Sequence, residues 1–377
     1  MRILAVTPYY EPEGGGLERY AHAILSRLAR RGHDVAALAF TKKGARETIR
    51  DGVRIECFSP LLRIGNSPID FGFSAKVSRT IESHRPDVVL AHTPVPFPAE
   101  MAYRSATKAA VPFVATYHAG RLRGSSWTLG RLALIHRATL ERRMLAGASR
   151  LIAVSPYVRD HALSDHADRV RIVPPGVDAQ HFRPNGANRS SNILFVGPVS
   201  QAYHWKGLDI LWSAFRHVRQ RIPDARLTVV GAGDRNAEFR EKARGLGDAV
   251  VFKGRLSEDE LVGEYQRAAV VALPSTTDAE SFGMVLAEAN ACARPVVASR
   301  IGGIPDFVVD GDNGLLVRPG DANDLAAKLV TLLRDDELAQ TMGRRGRARV
   351  VKEHDWEPLT AATETVLDEA RVVVARH

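Results

Sequence analysis

The chain has 377 residues, of which 45% are hydrophobic and 25% charged, and it carries a formal net charge of +9. That length favours two domains over one, and that composition excludes a disordered or fibrous chain. No apolar run approaches the roughly 18 residues a membrane-spanning helix needs, and two cysteines, Cys57 and Cys292, provide neither a disulfide framework nor a Cys-x-x-Cys metal site.

Charge is unevenly placed. Residues 1–180 hold 26 Lys and Arg against 16 Asp and Glu, whereas the remainder holds 26 against 27. A cationic first half beside a near-neutral second half suits an acidic partner: a phosphorylated substrate, an anionic lipid surface or a nucleic acid. No recognition motif supports nucleic acid, and general arginine enrichment is the plain alternative.

The first residues, Met1-Arg-Ile-Leu-Ala-Val-Thr-Pro8, read as a strand, without the apolar core and cleavage site of a signal peptide. A cytoplasmic protein that needs no metal is the expectation. Short apolar runs at 3–7, 35–40, 54–58, 88–92, 113–118 and 151–155 alternate with longer helical stretches. Runs at 193–197, 227–231, 250–254, 270–274, 296–299 and 314–317 repeat the pattern. Continuous apolar runs separated by helices signal parallel sheets covered on both faces, so the expected fold class is α/β with two doubly wound domains. The boundary is expected near Val173-Pro-Pro-Gly-Val-Asp178 and the polar stretch 185–192. This gives domains 1–185 and 186–355, with 356–377 a C-terminal helix returning to the first domain.

In such sheets ligands bind outside the carboxyl ends of the strands. Gly14-Gly15-Gly16 follows the first strand, His118 ends the run 113–118, and Gly231-Ala-Gly233 ends another. Strand ends of this kind in both domains suggest a cleft between them. The segment 121–143 is basic, with Leu129, Leu132, Ala133, His136, Leu140 and Met144 near one helical face. Such a stripe can lie on an anionic membrane; the plainer reading is a helix burying it against its own sheet. Arg121 and Arg123, just after His118, are candidates for an acceptor phosphate.

The most informative run is Pro274-Ser-Thr-Thr-Asp-Ala-Glu280-Ser-Phe-Gly-Met-Val-Leu-Ala-Glu288. Glu280 stands at the mouth of a strand-to-helix turn, and Glu288 lies a turn down the helix. Backbone N–H groups near Phe282, Gly283 and Met284 would start that helix, and a helix N-terminus suits a phosphate. Two carboxylates flanking an anion site accept hydrogen bonds from sugar or ribose hydroxyls, so the run reads as a nucleotide-sugar pocket. The plain alternative makes Glu280 a first-turn acid and Glu288 a solvated helix residue.

Several motifs in this order resemble the retaining glycosyltransferase family 4, of the two-Rossmann-domain GT-B fold. They are Gly14-Gly-Gly-Leu-Glu-Arg19, Thr116-Tyr-His118, Pro175-Gly-Val-Asp178, Trp205-Lys206-Gly207, Val230-Gly-Ala-Gly233, the Glu280–Glu288 run, Gly302-Gly-Ile-Pro305 and Asp310-Gly-Asp-Asn-Gly-Leu-Leu316. The resemblance covers essentially the whole chain and implies transfer of a sugar from a nucleotide diphosphate sugar, with no metal, to a saccharide or lipid-linked acceptor. It implies a diphosphate-binding role for Lys206, whose cation would stabilise charge on the leaving group. Glu280 would lie beside the donor sugar, Glu288 at the ribose, and Phe282, Gly283 and Met284 would lend N–H groups. Gly15, Gly16 and Gly231 would admit the donor closely, and His118 would face the reacting sugar. Tyr9 and Arg19 join Arg121 and Arg123 as acceptor-binding candidates.

One departure stands out. The family pattern places an arginine after the glycine of the run 193–197, and here that residue is Pro198. His204, Arg19 or Arg255 would supply a second cation, or Lys206 would act alone. Two other readings stay open: a GT-B nucleotide-sugar epimerase, and a silent sugar-nucleotide-binding protein. A dehydrogenase is excluded, because Val230-Gly-Ala-Gly-Asp-Arg-Asn236 lacks the third glycine of a dinucleotide loop.

Overall fold

The computed structural model describes residues 1–10, 15–41, 43–64, 67–119, 134–186 and 191–374. It divides into two compact units, Met1–Pro175 with Trp356–His377, and Gly176–Asp355.

The first unit is built on β1 (Arg2–Tyr9), β2 (Asp34–Phe40), β3 (Arg46–Arg50), β4 (Val53–Phe58), β5 (Leu62–Ile64), β6 (Ser67–Ile69), β7 (Val88–Thr93), β8 (Phe113–Tyr117), β9 (Arg150–Ala153) and β10 (Val170–Ile172). Eight of these form one sheet in the order β10-β9-β8-β7-β1-β2-β4-β3, while β5 and β6 make a separate antiparallel ribbon. Only β3 runs antiparallel within the large sheet. Its residues are nearly all exposed, so it carries no apolar run and is invisible to a search for buried strands. The central strands are buried on both faces: Ile3, Leu4, Ala5 and Val6 are all fully inaccessible. Helix α1 (Gly16–Arg30) follows β1. The C-terminal helix Trp356–Val374 also belongs to this unit, tied to the end of α1 by Arg31 to Glu364 at 2.9 Å and to Glu357 at 3.3 Å.

The second unit carries β11 (Asn192–Val196), β12 (Arg226–Val230), β13 (Val250–Gly254), β14 (Val270–Leu273), β15 (Val296–Ser299) and β16 (Gly314–Val317). They form one sheet in the order β13-β12-β11-β14-β15-β16, with every pairing parallel. The strand order therefore reverses between β11 and β14, where loops leaving adjacent strands diverge to opposite faces. Helices α2 (Leu208–Arg221), α3 (Glu258–Arg267) and α4 (Met284–Ala291) position the residues of interest. Ser257 starts α3 with a capping box: its N–H donates to Glu260 Oε2 at 2.8 Å, while its Oγ accepts from the Glu260 N–H.

The first division falls at Pro175, upstream of the boundary expected after residue 185. The reason is local pairing. The Val177 N–H donates to the His354 carbonyl at 2.8 Å, Ala179 and Phe182 are buried in the second unit's core, and Arg347 donates to the carbonyls of both. The polar stretch that marked the boundary follows this anchoring segment.

Leu367 of the C-terminal helix is fully buried. Leu367→Ala should cost about 2–5 kcal/mol through lost burial and a cavity, read as an earlier denaturant midpoint of the first unit. An unchanged midpoint would mean this helix contributes nothing to that unit's stability.

Candidate active site

The reversal of strand order in the second unit brings two loops together. The loop after β11 passes Pro198, makes a short turn over Gln201–Lys206 and enters α2 through Gly207. The loop after β14 runs from Pro274 to Gly283, which starts α4. Gly207 has φ +79°, and a Cβ there would lie 1.9 Å from the Pro274 carbonyl oxygen. Glycine is therefore required for the two backbones to touch. Thr276 completes the join, its N–H donating to the Trp205 carbonyl at 2.7 Å.

That join sets Lys206 Nζ 2.6 Å from Glu280 Oε2. The Ser275 hydroxyl donates to the same oxygen at 3.1 Å, leaving Glu280 Oε1 with no partner among the described residues. Glu280 is buried, and the Lys206 side chain is only 18% exposed. Lys206 is thus not a surface lysine. The Trp205 ring lies beneath its ammonium, 4.6 Å from Nζ to the ring centre, a cation–π contact. The Glu280 backbone is held from behind: its carbonyl accepts from the Gly303 N–H at 2.9 Å, and a Cβ on Gly302 would stand 2.1 Å from that oxygen.

Glu288, one turn into α4, is buried rather than solvated. It accepts a 2.7 Å hydrogen bond from the Tyr265 hydroxyl of α3. Among the described residues no acceptor is paired with the N–H groups of Phe282, Gly283 and Met284 at the start of α4. Gly231 serves close packing, since a Cβ there would lie 1.8 Å from the Gly197 carbonyl oxygen. Arg255 is exposed beyond β13, the edge strand, away from the β11–β14 reversal. His204 is exposed with Nδ1 2.9 Å from the Gln201 carbonyl oxygen. Arg235, whose N–H donates to the Val199 carbonyl, spends its guanidinium on Asp209 and Glu238. No second cation is paired with Glu280 among the described residues, and Pro198 itself is exposed.

The first unit gathers a different chemistry. His118 follows β8 and His92 lies near the end of β7, and their rings meet with His92 Nδ1 2.9 Å from His118 Nε2. Tyr20 of α1 sets its ring edge-on against both, at 4.8 Å from His118 and 6.1 Å from His92. Burial holds both imidazoles neutral: it pushes His92 down to about 3 and His118 well below the usual histidine range. Gly15 precedes α1, and its N–H donates to Glu18 Oε2 at 2.6 Å. The positive end of this helix is therefore met by its own carboxylate. Among the described residues no neighbour demands glycine at 15, where a Cβ would meet Glu18 Oε2 at 3.9 Å; Gly16, the first residue of α1, is exposed. Tyr9 is 2% exposed, with the Arg63 guanidinium 5.7 Å from its ring centre, so its side chain offers an acceptor little surface. Arg19 is half-buried, and its N–H donates to the Gly15 carbonyl. Arg121 and Arg123 lie outside the described residues, as do Leu129, Leu132 and Ala133. The rest of that stripe divides: Met144 is buried, His136 approaches Glu100 at 3.0 Å, and Leu140 is exposed. Among the described residues no three His, Cys, Asp or Glu side chains stand together as metal ligands would, and no helix is long and apolar enough to cross a membrane.

His92, Tyr265 and Ser275 were not singled out from the sequence. For His92 a signal existed: it closes an apolar run next to the one that His118 closes. Tyr265 and Ser275 carried none, because their partners come from other elements or a tight turn.

Two doubly wound sheets, parallel but for the edge strand β3, are the architecture of the GT-B glycosyltransferases. Residues 14–181 match the family described as Glycosyltransferase Family 4, and residues 190–335 match that described as Glycosyl transferases group 1. The chain is 30% identical to the glycogen synthase of Mycobacterium tuberculosis, over 97% of this chain and 94% of that one. It is 30% identical to the GDP-mannose-dependent alpha-(1-6)-phosphatidylinositol monomannoside mannosyltransferase of Mycolicibacterium smegmatis, over 98% and 99%. In fold it is similar to Anabaena HepE, solved with UDP, at a TM-score of 0.78 and 22% identity over 98% of this chain and 100% of that one. The chain belongs to glycosyltransferase family 4 and is an enzyme of the hexosyl-transferring type.

The neutral histidine pair has a consequence for acid stability. Unfolded histidines take up protons below about pH 6.5, and the buried pair refuses them. Stability is therefore intact above that pH and falls as pH drops toward 3, by about 1.4 kcal/mol per unit for each neutral ring. His92→Leu should make the loss shallower between pH 6.5 and 5; an identical slope would mean His92 is protonated in the fold.

Proposed function

We propose that this enzyme is a retaining glycosyltransferase. It moves a hexosyl group from a nucleotide diphosphate sugar, without a metal, to a saccharide or lipid-linked saccharide acceptor, in the synthesis of a cell-surface polysaccharide or glycolipid. The observation that carries this reading is the contact of Lys206 with Glu280 at the strand-order reversal, beside unpaired N–H groups at the start of α4. The second unit would hold the donor and the first the acceptor.

In the reaction the bond between the anomeric carbon and the phosphate oxygen breaks, and its electron pair stays on the diphosphate. Lys206 Nζ, drawn from Glu280 by that greater negative charge, stabilises it together with the N–H groups of Phe282, Gly283 and Met284. Glu280, released from the lysine, accepts hydrogen bonds from donor-sugar hydroxyls. Glu288, already fixed by Tyr265, accepts from the ribose. The acceptor oxygen attacks the face the diphosphate leaves, and the leaving phosphate oxygen takes its proton, so configuration is retained. His118 bonds a hydroxyl of the reacting sugar. The relatives support a nucleotide sugar as donor: one is named as GDP-mannose-dependent, and a structure of the same fold was solved with UDP.

Pro198 favours a second reading, a silent sugar-nucleotide binder, because no partner cation for Lys206 is evident among the described residues. Hydrolysis of the bound donor separates the two. Lys206→Ala should lower turnover about 100- to 1,000-fold and weaken nucleoside diphosphate binding, whereas unchanged kinetics would remove Lys206 from the diphosphate site. Glu280→Gln keeps the shape of the site and should abolish most transfer with little change in melting temperature. Wild-type rates would refute its place beside the sugar.

A cytoplasmic enzyme working at the inner membrane face also fits the basic first half. Leu134, Ile135 and Leu140 are exposed beside Arg137, Arg142 and Arg143, a pairing suited to an anionic surface. Binding to phosphatidylglycerol vesicles should weaken sharply with salt. No binding at any salt concentration would favour a soluble acceptor.

A further inference from the structure

The pairing of His92 with His118 carries information about which nitrogen of His118 holds its proton. β7 and β8 are adjacent and parallel, with His92 opposite Thr116 and Thr93 opposite Tyr117. The His118 N–H continues the ladder by donating to the Thr93 carbonyl at 2.9 Å. The two rings are therefore carried on rigid neighbouring backbones, 5.1 Å apart between centres. Tyr20 packs edge-on against both, and Trp356 packs on Tyr20 at 5.7 Å. His92 is 1% exposed, and its Nε2 has no hydrogen-bond partner among the described residues.

Two neutral imidazoles sharing one N–H···N bond have two proton arrangements. If His118 Nε2–H donates to His92 Nδ1, then His92 Nε2 must carry the second proton. That leaves a buried N–H with no acceptor among the described residues, a group that native proteins almost never tolerate. If His92 Nδ1–H donates instead, the orphaned Nε2 is only a lone pair. Its proton-bearing nitrogen is satisfied, and His118 Nε2 is the acceptor. His118 then carries its own proton on Nδ1.

We propose that His92 is a positioning residue that fixes His118 in the Nδ1–H form, so that His118 meets its ligand as a neutral hydrogen-bond donor and not as a base. The ligand atom it selects is an oxygen lone pair, on a phosphate or a sugar hydroxyl. This rests on the reading above that His118 faces the reacting sugar, but the tautomer is set by the protein alone.

The test is long-range proton–nitrogen correlation NMR of the full chain labelled with 15N-histidine, near pH 7.5, with His92 and His118 assigned by single substitution. The expected spectrum has Nδ1 protonated and Nε2 unprotonated in both rings. An Nε2-protonated His118 would overturn the proposal, whatever the activity. In kinetics, His92→Leu should lower kcat about 10- to 100-fold, the size of effect seen when the partner that orients a metal-bound histidine is removed. The KM should change little. His92→Asn, whose side-chain amide can donate from the place of Nδ1–H, should restore most of the loss and keep His118 Nδ1-protonated. Equal kcat in the Leu and Asn variants would reduce His92 to a packing residue. His118→Ala separates the underlying reading: full activity there would remove His118 from the sugar while leaving the tautomer to the spectra.

Discussion

The site proposed for the donor depends on one constraint, the reversal of strand order between β11 and β14 in an all-parallel sheet. Loops leaving adjacent strands at such a point open a crevice that loops elsewhere in the sheet do not. The backbones on its two sides are pressed together at Gly207 and Pro274, and the 2.6 Å contact of Lys206 with Glu280 follows from that join. A lysine at the start of a helix is electrostatically misplaced against the helix dipole. Here it is tolerated because a buried carboxylate and an indole face share its charge. In the reaction proposed above, a stronger anion would draw the cation away and free Glu280 for hydroxyl groups.

The two units solve different problems with similar sheets. In the second, a charge pair stands beside helix-start N–H groups that no described residue pairs, an arrangement suited to an anion. In the first, burial strips charge from two histidines, and the start of α1 is answered by its own Glu18. A neutral, hydrogen-bonding surface suits recognition of hydroxyl-bearing molecules. The net basic charge of the first half is therefore not concentrated at the histidine pair.

Much of this was legible in the sequence because parallel strands buried on both faces write continuous apolar runs, and all twelve runs in the two halves correspond to strands of the two sheets. β3 was not legible, since an exposed antiparallel edge strand such as Arg46–Arg50 has no apolar face to declare it. Glu280 and Lys206 stood out because their neighbours form recognisable turns. Their 2.6 Å contact was not readable across the intervening chain. Tyr265 and Ser275 were missed for the same reason: a hydroxyl aimed at a carboxylate on another element leaves no local pattern. The burial of Tyr9, an acceptor-binding candidate, was likewise not readable from its place in the chain. Pro198 stands exposed in the loop after β11, and the Trp205 ring under the Lys206 ammonium was not readable from the sequence, because that contact is set by the fold of the loop.

The most direct test of the donor site is calorimetric titration of the purified chain with UDP, GDP and ADP in the presence of a chelator. Saturable binding of one nucleoside diphosphate is expected, with one site per chain. Binding of none of the three at millimolar concentration would contradict a diphosphate site at Lys206 and Glu280.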